Sequence, residues 1–279
     1  MPTFEHMRVS LSPLAAGDLP LPAPSPPLSR ADYLRRAFED RRKFIHKGKP
    51  FAFQPTPSTE SGFVAGFFSR EAPLHGRDGP DHGYVEKVVE NWELAFIVQN
   101  VEVGDQRAAA EYNHRVGSPL PIVESFMKSL PPSEGFHGYT VYVLPLVSED
   151  DYWDVVKQNT GRITEADFTL IPPNAFEAKK ELAILIQAVN VRSNSEESRH
   201  AFLNKDGNLD VRAEQLAGMA EVAMEGAGGA TLKAGKKVIY SSKSQKTKTS
   251  IEPNEIPKPD NLFALVHLVG RLFSAIRRG

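Results

Sequence analysis

One unbroken stretch, residues 138–174, constrains the fold of this chain more than any other. It reads as an apolar strand over 138–144, a helix opening on Ser148, Glu149, Asp150 and Asp151, a basic helix exit at Lys157, and a second strand closing at Phe168, Leu170 and Ile171 before Pro172 and Pro173. Ser148 suits an N-cap, and the carboxylates that follow it favour the positive end of the helix dipole. Elsewhere neighbouring strands are joined by connections too short for a parallel crossover, which needs a dozen or more residues. The predicted class is α+β, with one mainly antiparallel sheet, helices packed on one face and a C-terminal amphipathic helix.

The 279 residues, 41% hydrophobic and 24% charged, can bury a sizeable core. A net charge of -2 gives no whole-chain argument for nucleic acid or membrane. The chain has no cysteine, which removes disulfides, thiolate nucleophiles, Fe–S clusters and cysteine-ligated zinc together. The first eight residues hold no apolar run of the signal-peptide kind, and no window reaches the ~18 apolar residues of a membrane helix. The expectation is a soluble, cytoplasmic, bacterial-type protein with no membrane partner.

Along the chain, alternation predicts a first strand over 7–14, and five prolines over 20–27 read as an extended connector. Ser29 is placed to cap a helix over 31–43, and aromatic strands follow at 51–55 and 62–68. Residues 76–83 read as a polar loop, and 92–101 as the strongest strand. Helices are expected at 106–112, 120–130, 175–188 and 211–224, with one or two strands over 228–240. The domain plan is therefore a core over 1–240, a Lys/Ser/Pro-rich mobile linker over 241–259, and a terminal helix over 260–279. That helix carries Leu262, Phe263, Val266, Val269 and Phe273 on one side, a stripe suited to a protein partner or a second copy of the chain.

Candidate chemistry is sparse. His75, Asp78, Asp81, His82 and Glu86 could offer a nitrogen and oxygen set to a metal, but the seven-residue spacing of the histidines matches no zinc signature. A metal-dependent nuclease or hydrolase, the first alternative, would join His82 and Asp81 to Glu149, Asp150 and Asp151. Asn204, Asp206, Asn208 and Asp210 alternate like a calcium loop but lack its Gly and Glu positions, and read as a turn leading to an N-capping Asp210. Nucleotide-loop, dinucleotide, serine-hydrolase and zincin motifs do not occur, so no cofactor is expected and no catalytic residue is assigned.

The basic segments carry the functional expectation. Arg41, Arg42 and Lys43 lie in a run with eight cations between positions 30 and 49, and Lys236, Lys237, Lys243, Lys246 and Lys248 lie in a run without an acid. Such patches bind phosphates in a salt-dependent, sequence-independent way, and Tyr240 among the lysines is a candidate stacking surface for a base. The competing reading is a solvated surface and linker. A third reading makes the aromatic strands (Phe51, Phe53, Phe67, Phe68) and the terminal helix the interfaces of an assembly subunit.

The order of Trp92 to Val98, Gln106, Tyr152 with Trp153, and Ile163 to Asn174 resembles an uncharacterised family of bacterial proteins found in mobile-element and phage-defence loci. The resemblance spans most of the chain and transfers no residue role. It implies a setting of host–phage conflict and a sensor or effector acting on nucleic acid. A nuclease effector would be expected to show a Pro-Asp…Glu-x-Lys or His-Asn-His core; Glu177 and Lys179 give Glu-x-Lys, but on a predicted helix rather than at a strand end.

Overall fold

In β1 (Thr3–Pro13) the side chains alternate between two buried environments: Met7, Val9 and Leu11 enter one core, while Phe4 enters another on the opposite face. A strand buried on both sides belongs at the centre of a sheet, and β1 is the hub of this one. The computed structural model describes residues 1–14, 27–57, 62–77, 79–102, 105–171, 195, 197–256, 268, 269 and 271–273.

The larger sheet adds β2 (Arg42–His46), β3 (Lys49–Thr56), β4 (Phe63–Glu71), β7 (Trp92–Asn100), β8 (Arg107–Tyr112), β9 (Tyr139–Pro145) and β14 (Lys248–Ser250), in the order β14-β1-β8-β7-β4-β3-β2. One end of β1 pairs with β14 and the other with β9, and every pairing is antiparallel. A two-stranded ribbon, β5 (Leu74–Arg77) and β6 (Glu86–Val89), continues outward from β4 and β7. The smaller sheet runs β11 (Ser198–Leu203), β10 (Glu165–Leu170), β12 (Gly228–Ala234), β13 (Lys237–Ser241).

Helices α1 (Arg30–Ala37) and α2 (Pro119–Lys128) pack on the face that carries Met7, Val9 and Leu11. Phe126 of α2 sits against the rings of Phe38, Phe44, Phe53 and Phe68, with centroids 5.0–5.6 Å away. On the opposite face Phe4, Phe67, Phe96 and Val98 are covered by Ile251, Leu268, Val269, Leu272 and Phe273. The smaller sheet forms a separate core with α3 (Glu149–Gln158) and α4 (Glu214–Val222). Strand β9 serves both cores, giving Tyr139, Val141 and Val143 to the first and Tyr142 and Leu144 to the second.

The α+β class and the antiparallel pairing stand as expected, but several elements differ. Residues 107–112 form a strand, not a helix; Ala108, Ala109 and Ala110 fill a slot buried on both faces, and that packing overrides alanine's helical propensity. The expected strand, helix and strand are present up to Leu170, with 172–174 outside the described residues, yet β9 and β10 lie in different sheets, so α3 carries the chain from one sheet to the other. The 76–83 loop is the tip of the β5–β6 ribbon. Helix α1 ends at Ala37, before Arg41, Arg42 and Lys43. The helix expected at 175–188, with Glu177 and Lys179, lies outside the described residues, as does most of the 20–27 connector. Of the terminal helix expected over 260–279, only Leu268, Val269, Arg271, Leu272 and Phe273 are among the described residues; these five are helical and all but Arg271 are buried, and the amphipathic helix as a whole lies outside the described residues.

Candidate nucleic-acid interface

Two hairpin tips carry exposed cations. The first joins β2 and β3: His46 pairs with Lys49, leaving Lys47 and Gly48 as a two-residue loop with φ of 48° and 73°. Two successive positive φ angles make a turn whose twist matches a hairpin, and glycine adopts this backbone at no steric cost. Phe44 and His46 point into the first core, and His46 Nδ1 lies 2.8 Å from Ser125 Oγ of α2, pinning the hairpin to the helix. Burial, and after it the charge of Lys47, lowers the His46 pKa. Arg41, Lys43, Lys47 and Lys49 are left exposed, with no acidic residue anywhere in 41–49.

The second tip joins β12 and β13, where Ala234 pairs with Lys237 around Gly235 and Lys236. The Gly235 N–H donates to Thr164 Oγ1 at 2.9 Å, and Lys233 reaches Glu165 at 2.9 Å. Lys236 and Lys237 extend beyond these contacts into solvent. Among the described residues no acid lies within ion-pair distance of Arg41, Lys43, Lys47, Lys49, Lys236, Lys237 or Lys243.

The remaining sequence candidates are placed otherwise. Tyr240 is 2% exposed and meets Tyr152 edge to face at 5.1 Å, so it cannot stack on a base. Tyrosine beside lysine in sequence suggested a surface aromatic; strand alternation turns its ring into the second core, and burial raises its pKa to about 12. Arg42 Nη2 lies 2.9 Å from Glu134 and 3.5 Å from Asp40, with the guanidinium 5.0 Å from the centre of the Phe136 ring, so its charge is committed within the fold. Lys246 is bound to Glu5 at 2.8 Å, and Lys248 stands 3.9 Å from the same carboxylate.

The expected linker is correspondingly tied down between 241 and 251. The Ala230 N–H donates to Ser242 Oγ, Thr247 N–H donates to Leu146 O, His6 N–H donates to Thr247 O, and Lys248–Ser250 pair with β1. The two basic runs lie on different elements: Lys248 is on β14 and Arg42–His46 on β2, at the two ends of the larger sheet's strand order, while Lys236 and Lys237 are on the smaller sheet.

Ser148 Oγ accepts from Asp151 N–H, and Glu149 accepts from the Trp153 indole. Asp210 accepts from Arg212 N–H in the turn, while α4 is preceded by Ala213 with no side-chain cap, which corrects the N-capping expectation. Among the described residues no three His, Asp or Glu side chains stand where they could share a metal ion; Asp78 and the His82 side chain lie outside them. No family model, curated protein or solved structure matches this chain.

One surface escaped the sequence reading. Leu74, Tyr84, Val85, Val88 and Val89 on the β5–β6 ribbon are exposed, as are Trp92, Leu94 and Ile45 on the adjoining sheet face. The apolar residues on both sides of the 76–83 segment were the available signal, obscured by its Gly, Asp and Pro content.

Proposed function

We propose that this protein binds nucleic acid through phosphate contacts made by its two cationic hairpin tips, without catalysis of its own. The observation that carries this reading is the β2–β3 hairpin, with Arg41, Lys43, Lys47 and Lys49 exposed, outside any ion pair among the described residues, and with no acid between positions 41 and 49. Lys236 and Lys237 supply a second contact, and Lys243 a further exposed cation. Lysines on a tight turn can follow a phosphate backbone without reading bases, so binding would be weakly selective and steeply salt-dependent. The bacterial defence or mobile-element setting implied by the resemblance belongs to this reading, with action inside the cytoplasm.

The test is fluorescence anisotropy with random single- and double-stranded DNA and RNA across a salt series. Changing Lys47, Lys49, Lys236 and Lys237 to Gln should weaken binding and flatten the salt slope, by about one for each phosphate that is no longer neutralised. Lys246→Gln should leave both unchanged, because that ammonium is held by Glu5. Absence of binding at low salt would eliminate the proposal.

A further inference from the structure

Among the described residues, eight of the twelve exposed large hydrophobic side chains lie on the β5–β6 ribbon and the sheet face beside it. The pairing register runs unbroken from Glu71 opposite Trp92 to Leu74 opposite Val89, so β4, β5, β6 and β7 form one long hairpin whose outer half leaves the sheet. All eight residues of β5 and β6 are exposed. An isolated two-stranded ribbon is marginal in water and gains most from being covered. Where it leaves the sheet, the cross-strand row Ile45, Pro50, Glu71, Trp92 borders a groove that Lys43 also lines.

We propose that this ribbon and groove are the interface of a two-fold dimer, each copy's ribbon lying across the groove of the other. Three observations favour a second copy as the occupant. Apolar groups occur on both pieces, Val88 (61% exposed) on the ribbon and Trp92 (37%) with Ile45 (64%) at the groove, so one patch can complete itself across a two-fold axis. The charges are complementary: Glu90 on the ribbon, whose carboxylate accepts the Trp92 indole N–H at 2.7 Å, and Lys43 in the groove are in no ion pair among the described residues. A two-fold axis would satisfy Glu90 of one copy with Lys43 of the other, twice over. The size also fits. Residues 72–77 and 79–91 number nineteen, and with Lys43, Ile45, Pro50, Glu71, Trp92 and Leu94 the patch reaches the ~20–30 residues per side of a stable interface. Lys43 also belongs to the cationic hairpin assigned to phosphate binding, whereas Lys47, Lys49, Lys236 and Lys237 lie outside the row; measured without nucleic acid, the dimer stands or falls independently of that reading.

The experiment is light-scattering mass on the full chain over a dilution series, from roughly 100 μM, where a micromolar Kd would leave it mostly dimeric, to about 1 μM, where a tenfold weaker association would leave it mostly monomeric. The wild type should show twice the chain mass. Val88→Lys, Lys43→Glu and Glu90→Lys should each weaken association about tenfold or more, with circular dichroism and melting temperature unchanged because all three side chains are exposed. The double variant Lys43→Glu/Glu90→Lys should restore the dimer by exchanging the charges. A monomeric wild type, or a dimer indifferent to all three single changes, would overturn the proposal. Failure of the charge exchange to restore mass would equally overturn the Glu90–Lys43 pairing on which it rests.

Discussion

Lys246 Nζ stands 2.8 Å from the carboxylate of Glu5, joining residues 241 positions apart in sequence. Ser118 Oγ lies 3.3 Å from the same ammonium, at the start of α2. A lysine in a polar, serine-rich run is thus a tie that holds the late chain onto β1. Glu5 is only 4% exposed, so removing its partner leaves a buried carboxylate with Lys248 alone at 3.9 Å. Lys246→Ala should lower stability by roughly 1–3 kcal/mol in urea unfolding. The double variant with Glu5→Gln should cost less than the sum of the two single changes.

Tyr240 and Tyr152 bury their rings together, and neither hydroxyl has a hydrogen-bond partner among the described residues. An unsatisfied buried hydroxyl is a cost that phenylalanine does not carry. Tyr240→Phe should therefore be neutral or stabilising by up to about 1 kcal/mol by thermal melting. Nucleic-acid affinity should be unchanged, whereas a surface stacking role would predict a loss with Tyr240→Ala at preserved fold.

Burial, and after it the charge of Arg107, lowers the pKa of His6 from 6.5 to about 4. The folded protein keeps this ring neutral while the unfolded chain binds a proton at pH 6.5. The unfolded state therefore holds more protons between those values, and stability falls as pH drops from 6.5 towards 4, with no further loss from this group below. The whole effect is about 3 kcal/mol. Urea midpoints followed from neutral pH downwards should show this slope, and His6→Gln should remove it.

Four phenylalanine rings converge on Phe126, which is fully buried in α2. Phe126→Ala would leave a cavity that the surrounding rings cannot close without leaving their rotamers. A loss of about 3–5 kcal/mol is expected in chemical denaturation. The β2–β3 hairpin should loosen with it, seen as faster amide exchange at Phe44 and Ile45.

Local chemistry made several elements legible in the sequence. Ser29 accepts from Asp32 N–H and Ser148 from Asp151 N–H, as the capping pattern required. The apolar run at 92–100 is a strand within the larger sheet, and Phe126 lies on the buried side of α2 as its spacing implied. Each of these depends on neighbours within a few positions, so the sequence carries the information directly.

The candidate interface was only half legible, because charge in sequence does not say which charges remain free. Arg42 and Lys246 looked like any other cation of their runs, and only distant acids, Glu134 and Glu5, distinguish them from Lys47 and Lys236. Tyr240 was decided in the same way, by a strand register that turns it towards Tyr152.

The sequence by itself determined the strand and helix types where period and caps agreed, and it excluded every chemistry that needs cysteine. Tertiary structure decided the rest. It made Ala108, Ala109 and Ala110 a strand, sent β9 and β10 to different sheets, paired Lys248–Ser250 with β1 and left the β5–β6 ribbon outside all three cores. The physical reason is common to all four. Burial and pairing free energies depend on partners far away in the chain, and they exceed the few tenths of a kcal/mol by which local propensity separates one conformation from another.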